Sequence, residues 1–393
     1  MARLLIACGW WIRDWSLSIW LLALSSTMLG CSPSVPTPHV IIEHEVFLKW
    51  DQGCAGGAVS QSLTPTKDEG VILAGQRREA CATRINAQGE IVWRYDEPHD
   101  DSLGDPHWQS LFGGAVMLAD DSVILCGMKH TSDGVLGLIV RIGAHGEVLS
   151  KEMLAPTGGA PMHQSRFDKC VPWEGGAALL GSIPRAPKAD RWLVKVDALG
   201  RKVWEMSGQD YGGADALELA DHSLVMGDAN VGTTQLVRVN PDGGLQRKRI
   251  MPCTSEYPGC RFNLFHHVKP TADLRLVLID RPHATIYHLD GALNDLEPPI
   301  KSRAALTNRA FELGDGAVYF GGESGAFIAF VAQTGQVSTI YAWRPTWDQR
   351  HLQVIEESLS ISDAGAISNT EFVSVRDWDA PTPGLYVDWL SIR

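Results

Sequence analysis

The sequence predicts an all-β chain folded as a single β-propeller of four-stranded antiparallel blades, seven in number, with six or eight also compatible. Three observations lead there. A ten-residue phrase recurs as "RINAQGEIVW" from Arg84, "RIGAHGEVLS" from Arg141, "KVDALGRKVW" from Lys195 and "RVNPDGGLQR" from Arg238. A second phrase precedes it each time: "DEGVILAG" ending at Gly75, "DDSVILCG" at Gly127, "EGGAALLG" at Gly181 and "ADHSLVMG" at Gly227. No window sustains a helical period.

Each part of the repeat has a physical reason. Acidic residues and glycine make tight turns, and the apolar run after them is too short for a helix, so it reads as a strand covered on both faces. The ten-residue phrase closes one strand, turns, and opens the next. Asn, Asp or Gly near the start of the turn and Gly at its end suit the positive φ that hairpin loops require. The phrase starts are 57, 54 and 43 residues apart, room for about four strands with their connections. "GDGAVYFG" ending at Gly321 with "FVAQTGQVST" from Phe330 reads as a further unit, and "ADLRLVLI" from Ala272 and "SDAGAISN" from Ser362 as degenerate copies of the second phrase. "YHLDGALN" from Tyr287 reads as a hairpin with a shortened turn.

Open stacks of sheets leave sticky edges, so the ends of the chain matter. "EHEVFLKW" (Glu43–Trp50) and "GLYVDWLSIR" (Gly384–Arg393) are strand-like runs expected to pair in one blade and close the ring. Ahead of them stand Arg3, Arg13 and an apolar run from Trp15 to Leu29, too short for a comfortable membrane span, then "MLGC" at Met28–Cys31. "SPSVPTP" (Ser32–Pro38) holds three prolines and favours an extended spacer. The expected organisation is a signal segment over 1–30, an attachment cysteine and tether over 31–42, and a propeller over 43–393.

Two resemblances attach to these residues. "MLGC" resembles the lipobox of bacterial lipoproteins, with Leu29 at a place that usually holds a small residue. That resemblance implies cleavage before Cys31, lipid on Cys31 and, with Ser32 next, location in the outer membrane of the cell envelope, facing the periplasm or the exterior; a plain secretory signal is the alternative. "RWLVKVDALGRKVW" (Arg191–Trp204) and "YGGADALELADHSLVMG" (Tyr211–Gly227) resemble bacterial propeller repeats of the quinoprotein-dehydrogenase-like (PQQ-like) superfold. The resemblance spans most of Trp50 to Arg393 and implies fold more than function, because its motifs are turns and core strands.

The chain has 393 residues, 45% of them hydrophobic, and a net charge of -12. An acidic surface repels phosphate backbones, which argues against nucleic-acid partners. Six of the eight cysteines follow the tether: Cys54, Cys81, Cys126, Cys170, Cys253 and Cys260. An even number in an oxidising compartment suits disulfides. Cys253 and Cys260 bracket the turn-rich "TSEYPG" and are the first expected bridge. Cys54–Cys81 and Cys126–Cys170 follow, with buried free thiols as the alternative for both. No CxxC spacing supports a zinc or thioredoxin-like centre.

Catalytic signatures are scarce. The sequence has no Walker A, GxSxG, HExxH or EF-hand pattern. The superfold's enzymes often carry adjacent cysteines at a quinone cofactor, and no Cys-Cys pair occurs. "DEPHDDSLGDPHW" (Asp96–Trp108) gathers Asp96, Asp100, Asp101, Asp105, His99 and His107, but Pro98 and Pro106 scatter their directions, and a solvated loop is the expectation. His266 and His267 are neighbours on an expected innermost strand and face opposite ways. No cofactor and no metal is expected.

The connections between blades carry His107, Trp108, His163, Arg166, Tyr211, Tyr257, Arg261, Trp347 and Arg350. Aromatic residues with arginine are typical of binding hot spots, and arginines on an acidic protein select anionic groups. These nine form the expected binding face. The function expected is a monomeric, lipid-anchored, non-catalytic binding or scaffold module. Its partner would be an envelope protein or a secreted toxin, as for a toxin-immunity lipoprotein. It also resembles the propeller lipoprotein of the outer-membrane protein insertion machinery, through Gly316–Phe330. The alternative is a propeller enzyme, either a glycan hydrolase or lyase or a quinone-dependent dehydrogenase.

Overall fold

The computed structural model describes residues 40–49, 54, 62–76, 79–103, 109–157, 165–183, 190–208, 213, 215–230, 233–251, 261–264, 271–280, 283–302, 309–313, 316–321, 327–332, 337–342, 360–366, 371–378 and 384–392. The signal segment, Cys31 and "SPSVPTP" lie outside them. Among the described residues the strands form seven four-stranded antiparallel sheets. The first strand, β1 (Val40–Lys49), begins within the stretch expected as tether.

The first sheet holds β2 (Ser62–Pro65), β3 (Val71–Gln76), β4 (Ala80–Ile85) and β5 (Ile91–Asp96). The second holds β6 (Ser110–Met117), β7 (Val123–Thr131), β8 (Gly134–Ile142) and β9 (Val148–Leu154). The third holds β10 (Arg166–Trp173), β11 (Gly176–Ile183), β12 (Asp190–Val196) and β13 (Lys202–Gly208). The fourth holds β14 (Asp215–Glu218), β15 (Leu224–Asn230), β16 (Thr233–Val239) and β17 (Leu245–Met251). The fifth holds β18 (Arg261–Leu264), β19 (Asp273–Asp280), β20 (His283–Asp290) and β21 (Ile300–Ser302). The sixth holds β22 (Arg309–Leu313), β23 (Gly316–Gly321), β24 (Phe327–Ala332) and β25 (Val337–Ala342).

The last sheet takes β26 (Ser360–Ala366), β27 (Glu371–Trp378) and β28 (Gly384–Ile392) from the C-terminal end and β1 from the N-terminal side, in the order β1-β28-β27-β26. Its two ends of chain pair from Val40 opposite Ile392 to Lys49 opposite Gly384, and Ser391 Oγ donates to Glu43 Oε1 at 2.5 Å. The first strands touch one another in turn, and β26 returns to β2, so the ring closes as a propeller. "SDAGAISN" departs from its expected place: its start lies in β26, a first strand, and the second strand is Glu371–Trp378. The small residues of "SISDAGA" suit the crowded inner position, while "EFVSVRDW" has the β-branched and aromatic residues that a central strand packs.

The second phrase becomes the second strand of each sheet. β3 is buried at all six positions. β7 splits its side chains by alternation: Val123 and Leu125 pack toward the first sheet, and Ile124 and Cys126 toward the third. β11 does likewise, with Ala177 and Leu179 toward the second sheet and Ala178 and Leu180 toward the fourth. The core is therefore a series of layers, each shared by two neighbouring sheets. Phe167 stacks on Trp192 at 4.5 Å between ring centres in one such layer.

The opening phrase becomes the hairpin from third to fourth strand. Asn86 N donates to Glu90 O and Gly89 N to Asn86 O, at 3.0 and 2.9 Å. The glycine ending each turn has positive φ: Gly89 81°, Gly146 91°, Gly200 78° and Gly243 89°. The turn of "YHLDGALN" is not shortened. It repeats the same bonds from Asp290 to Asn294, with Leu293 at φ 63° in the glycine's place. Leu293 is 1% exposed, and its burial offsets the strain of that conformation.

These glycines also serve as contacts. A Cβ on Gly146 would lie 2.6 Å from Cβ of Trp93, on the outer strand of the preceding sheet. Gly243 sits as closely on Met206 and Trp204 of the sheet before it, and Gly89 on Val46 of β1. Trp204 Nε1 further donates to Pro241 O at 3.2 Å. Each turn thus seats on its neighbour's fourth strand, and β1 fills that role where the ring closes.

Gly146→Ala should therefore cost about 2–4 kcal/mol, combining left-handed strain and overpacking. Gly175, at φ 76° with nothing within 4 Å of a Cβ, provides the contrast: Gly175→Ala should cost only about 1 kcal/mol. Urea midpoints at unchanged m-value read both, and equal losses would refute the seating contact.

Candidate functional site

The ring has two unlike ends. Hairpins from first to second and from third to fourth strand gather at one, the turn end. The opposite end holds the second-to-third links and the crossings from each outer strand to the next inner strand.

At the turn end the basic residue that opens the repeated phrase is a clamp. Arg84 donates to Asp68 of its own sheet at 3.1 Å and to Ala144 O of the next sheet at 3.4 Å. Arg238 donates to Asp221 and Ser223 of its own sheet and to Gly291 O of the next. Lys195 pairs with Glu174 and reaches Pro241 O at 3.1 Å, with its ammonium 4.8 Å from the centre of the Trp173 ring. Arg141 binds Asp120 at 2.6 Å and Ser122 at 3.1 Å. The Ser122 hydroxyl and Arg141 hold the Asp120 carboxyl below its ordinary range. Desolvation works against Asp68 and Asp221, but hydroxyl and guanidinium partners still lower both.

A cleft of about 380 Å³ opens beside the Arg238 clamp, lined by Ala220, Asp221, Ala272, Asp290, Gly291 and Ala292. Its guanidinium and carboxylates are already engaged in the turns, Asp290 by Asn294 at 2.8 Å, so the cleft is a by-product of the clamp.

Most of the predicted face, namely His107, Trp108, His163, Tyr211, Tyr257, Trp347 and Arg350, falls outside the described residues, as do His266 and His267. Arg261 opens β18, and only its backbone is described. Arg166 opens β10 with an exposed side chain, 2.7 Å from Asp168. Strand register sets Arg166 opposite Ser182 and Ser182 opposite Arg191, a row across three strands. Ser182 Oγ lies 3.5 Å from Asp168 Oδ2. Desolvation raises the Asp168 carboxyl despite the opposing charges of Arg166 and Arg191. The row joins two cations, a hydroxyl and one carboxylate, groups suited to a carboxylate-bearing partner. Sequence reading found Arg166 and missed Asp168, Ser182 and Arg191. The signal was only that each lies within three residues of a strand end facing the crossings.

The first crossing is anchored by buried polar groups. Glu97, wholly buried at its side chain, accepts from Tyr95 at 2.6 Å, Lys129 at 2.5 Å and Lys151. Burial works to raise its carboxyl, but these donors hold it below the ordinary value. Glu79 accepts from Ser110 and meets His99 Nδ1, both at 2.5 Å. Asp100 accepts from Ser102, and its backbone N–H and C=O bond the side-chain amide of Gln109. Where described, the "DEPHDDSLGDPHW" stretch is thus a hydrogen-bonded loop, and among the described residues no three His, Cys, Asp or Glu side chains are grouped to hold a metal.

The cysteines divide. Cys126 of β7 and Cys170 of β10 meet between the second and third sheets, Cα atoms 6.1 Å apart, a separation that suits a bridge. The expected Cys54–Cys81 bond is absent. Both thiols are buried, and Cys54 Sγ sits 3.5 Å from Thr83 Oγ1. Burial and the neighbouring Cys54 push the Cys81 thiol far up. Cys253 and Cys260 lie outside the described residues.

Similar solved structures include BamB from Moraxella catarrhalis, with TM-score 0.51 and 11% identity over 90% of this chain and 99% of that one. The WD40 β-propeller domain of Doa1 gives TM-score 0.53 and 10% identity over 90% and 97%. Polysaccharide lyase Uly1 gives 0.55 and 11% over 89% and 99%. At such identities the likeness establishes the propeller fold alone. No protein-family model and no curated protein matches the sequence.

Two outcomes are expected. The lowered carboxylates Asp68, Asp120, Asp221 and Glu97 contribute stability that is fully present above their ordinary values, 3.8 for Asp and 4.5 for Glu, and is lost as pH falls through the lower folded values. The raised Asp168 acts in the opposite sense but is one group against four. Urea midpoints should drop steeply below about pH 4. Glu97→Gln should cost about 3 kcal/mol at pH 7 and less at pH 3; a constant difference would refute the ionic role of Glu97. Peptide mapping of native protein should recover Cys126 linked to Cys170, and should find Cys54 and Cys81 alkylated only after denaturation.

Proposed function

We propose that the protein is a lipid-anchored, extracytoplasmic propeller that acts by binding and not by catalysis, presenting its crossing end to a protein of the cell envelope. The observation that carries this reading is the Arg166–Ser182–Arg191 row, which strand register sets at the end where the crossings gather, with Arg166 paired to Asp168. A closed ring holds such a row rigidly, which lowers the ordering cost of binding. The "MLGC" motif and proline-rich spacer support attachment through lipid on Cys31, at the outer membrane. A secreted toxin capped at this end is the specialised form of the same reading, and membership of the quinoprotein-dehydrogenase-like superfold is the corresponding reading of the repeats.

Photo-crosslinking tests it. A crosslinking amino acid at position Arg166 in living cells should give one discrete protein adduct that Arg191→Glu weakens at least tenfold. The same probe at Val203, on the turn-end rim, should not give that adduct. Identical adduct patterns at both positions would sink the reading. Lipid attachment is read separately, by labelled palmitate incorporated into the wild type and lost in Cys31→Ser.

A further inference from the structure

Several exposed large apolar side chains line one rim of the ring. Ile91 and Val92 open β5, Val148 and Leu149 open β9, Val203 is the second residue of β13, and Leu245 opens β17. These six are between 42% and 55% exposed. Each follows the hairpin from third to fourth strand, so all six lie at the turn end on the outer perimeter. Adjacent strand residues face opposite ways, so the pairs in β5 and β9 expose both faces of their strands. Farther along, the outer strands turn polar, as in "QRKR" after Leu245. Met153 and Ile250 are exposed apolar residues near the other ends of β9 and β17.

The ring-closing strand places the N-terminal side of the chain at this same rim. β1 fills the fourth-strand position of its sheet, so it starts at the turn end, where Val40 pairs with Ile392 and Ile41 is exposed. Val40 lies nine positions after Cys31, a reach of roughly 30 Å at full extension. A lipid on Cys31 would tether the propeller from its turn end, where β1 begins.

We infer that the turn-end rim rests on the bilayer surface through these apolar side chains, with the crossing end directed away; this rests on the reading of Cys31 as a lipid-attachment site. Four carboxylates of this end do not oppose such contact as bare acids would: Asp68, Asp120, Glu174 and Asp221 are matched by Arg84, Arg141, Lys195 and Arg238. Each apolar contact is weak alone, but a tether makes the second contact intramolecular, and one lipid chain plus a second membrane-binding signal is what stable attachment takes.

The test uses the full chain purified from membranes and mixed with vesicles of phosphatidylethanolamine and phosphatidylglycerol. An environment-sensitive fluorescent amino acid is placed at Val92, at Val203 or, as the far-end control, at Arg166, with Val148 as a second rim position should either variant fail to fold. Brominated lipid should quench the rim probes at least threefold more than the Arg166 probe. Palmitate labelling scores Cys31 independently. If Cys31 takes no lipid, the anchor reading fails, while the vesicles still decide the rim. Preferential quenching at Val92 and Val203 upholds rim docking whatever Cys31 carries, and equal quenching at all positions overturns it.

Discussion

The structure depends on one contact repeated around the ring: the turn between third and fourth strands of one sheet seated on the outer strand of the sheet before it. Glycine makes the seat possible twice over, by accepting positive φ and by leaving no Cβ where Trp93 or Met206 must lie. The basic residue two positions before the turn then fastens it, spanning from an acid in its own sheet to a backbone carbonyl in the next. Beneath that surface the apolar layers supply most of the burial. The layers favour stacking in general; the turn and clamp select the distance and angle at which sheets stack.

This economy has a consequence for function. A polar group spent on holding neighbours together is not available to a ligand, and the turn end spends its arginines and aspartates in that way. Described groups at the crossing end bear structure too: Lys169 of β10 pairs with Asp215 of β14 between two sheets. With Glu97 and its two lysines, likewise, the group is buried and the crossing is pinned at its root. Arg166, Ser182 and Arg191 lie beyond such roots, on strand ends that the core positions firmly.

The same architecture supports proteins as different in name as BamB, a WD40 domain and a polysaccharide lyase. That breadth follows from the physics of the frame. Radial stacking fixes turns and second strands within narrow chemical limits and leaves the crossings open to vary. A repeat phrase rich in turn and core signals therefore identifies the frame and is silent about what the crossings do.

The sequence by itself determined the local rules. Gly89, Gly146, Gly200 and Gly243 occupy the hairpin positions that only glycine fills cheaply, the second strands are read from short apolar runs, and the closing pair of β1 and β28 is legible from two strand-like ends facing an edge problem. These depend on a few neighbouring residues and on alternation. Tertiary structure alone decided the rest. Leu293 keeps a glycine's conformation because a layer between two sheets buries it. "SDAGAISN" yields its expected place because a better strand follows. Arg84, Arg141, Lys195 and Arg238 look like solvated strand ends until the next sheet supplies a carbonyl or a turn glycine. Cys126 meets Cys170 across a sheet boundary, whereas Cys54 and Cys81 lie buried as thiols. In each case the deciding partner lies on another strand or another sheet, at a distance along the chain that no local pattern encodes.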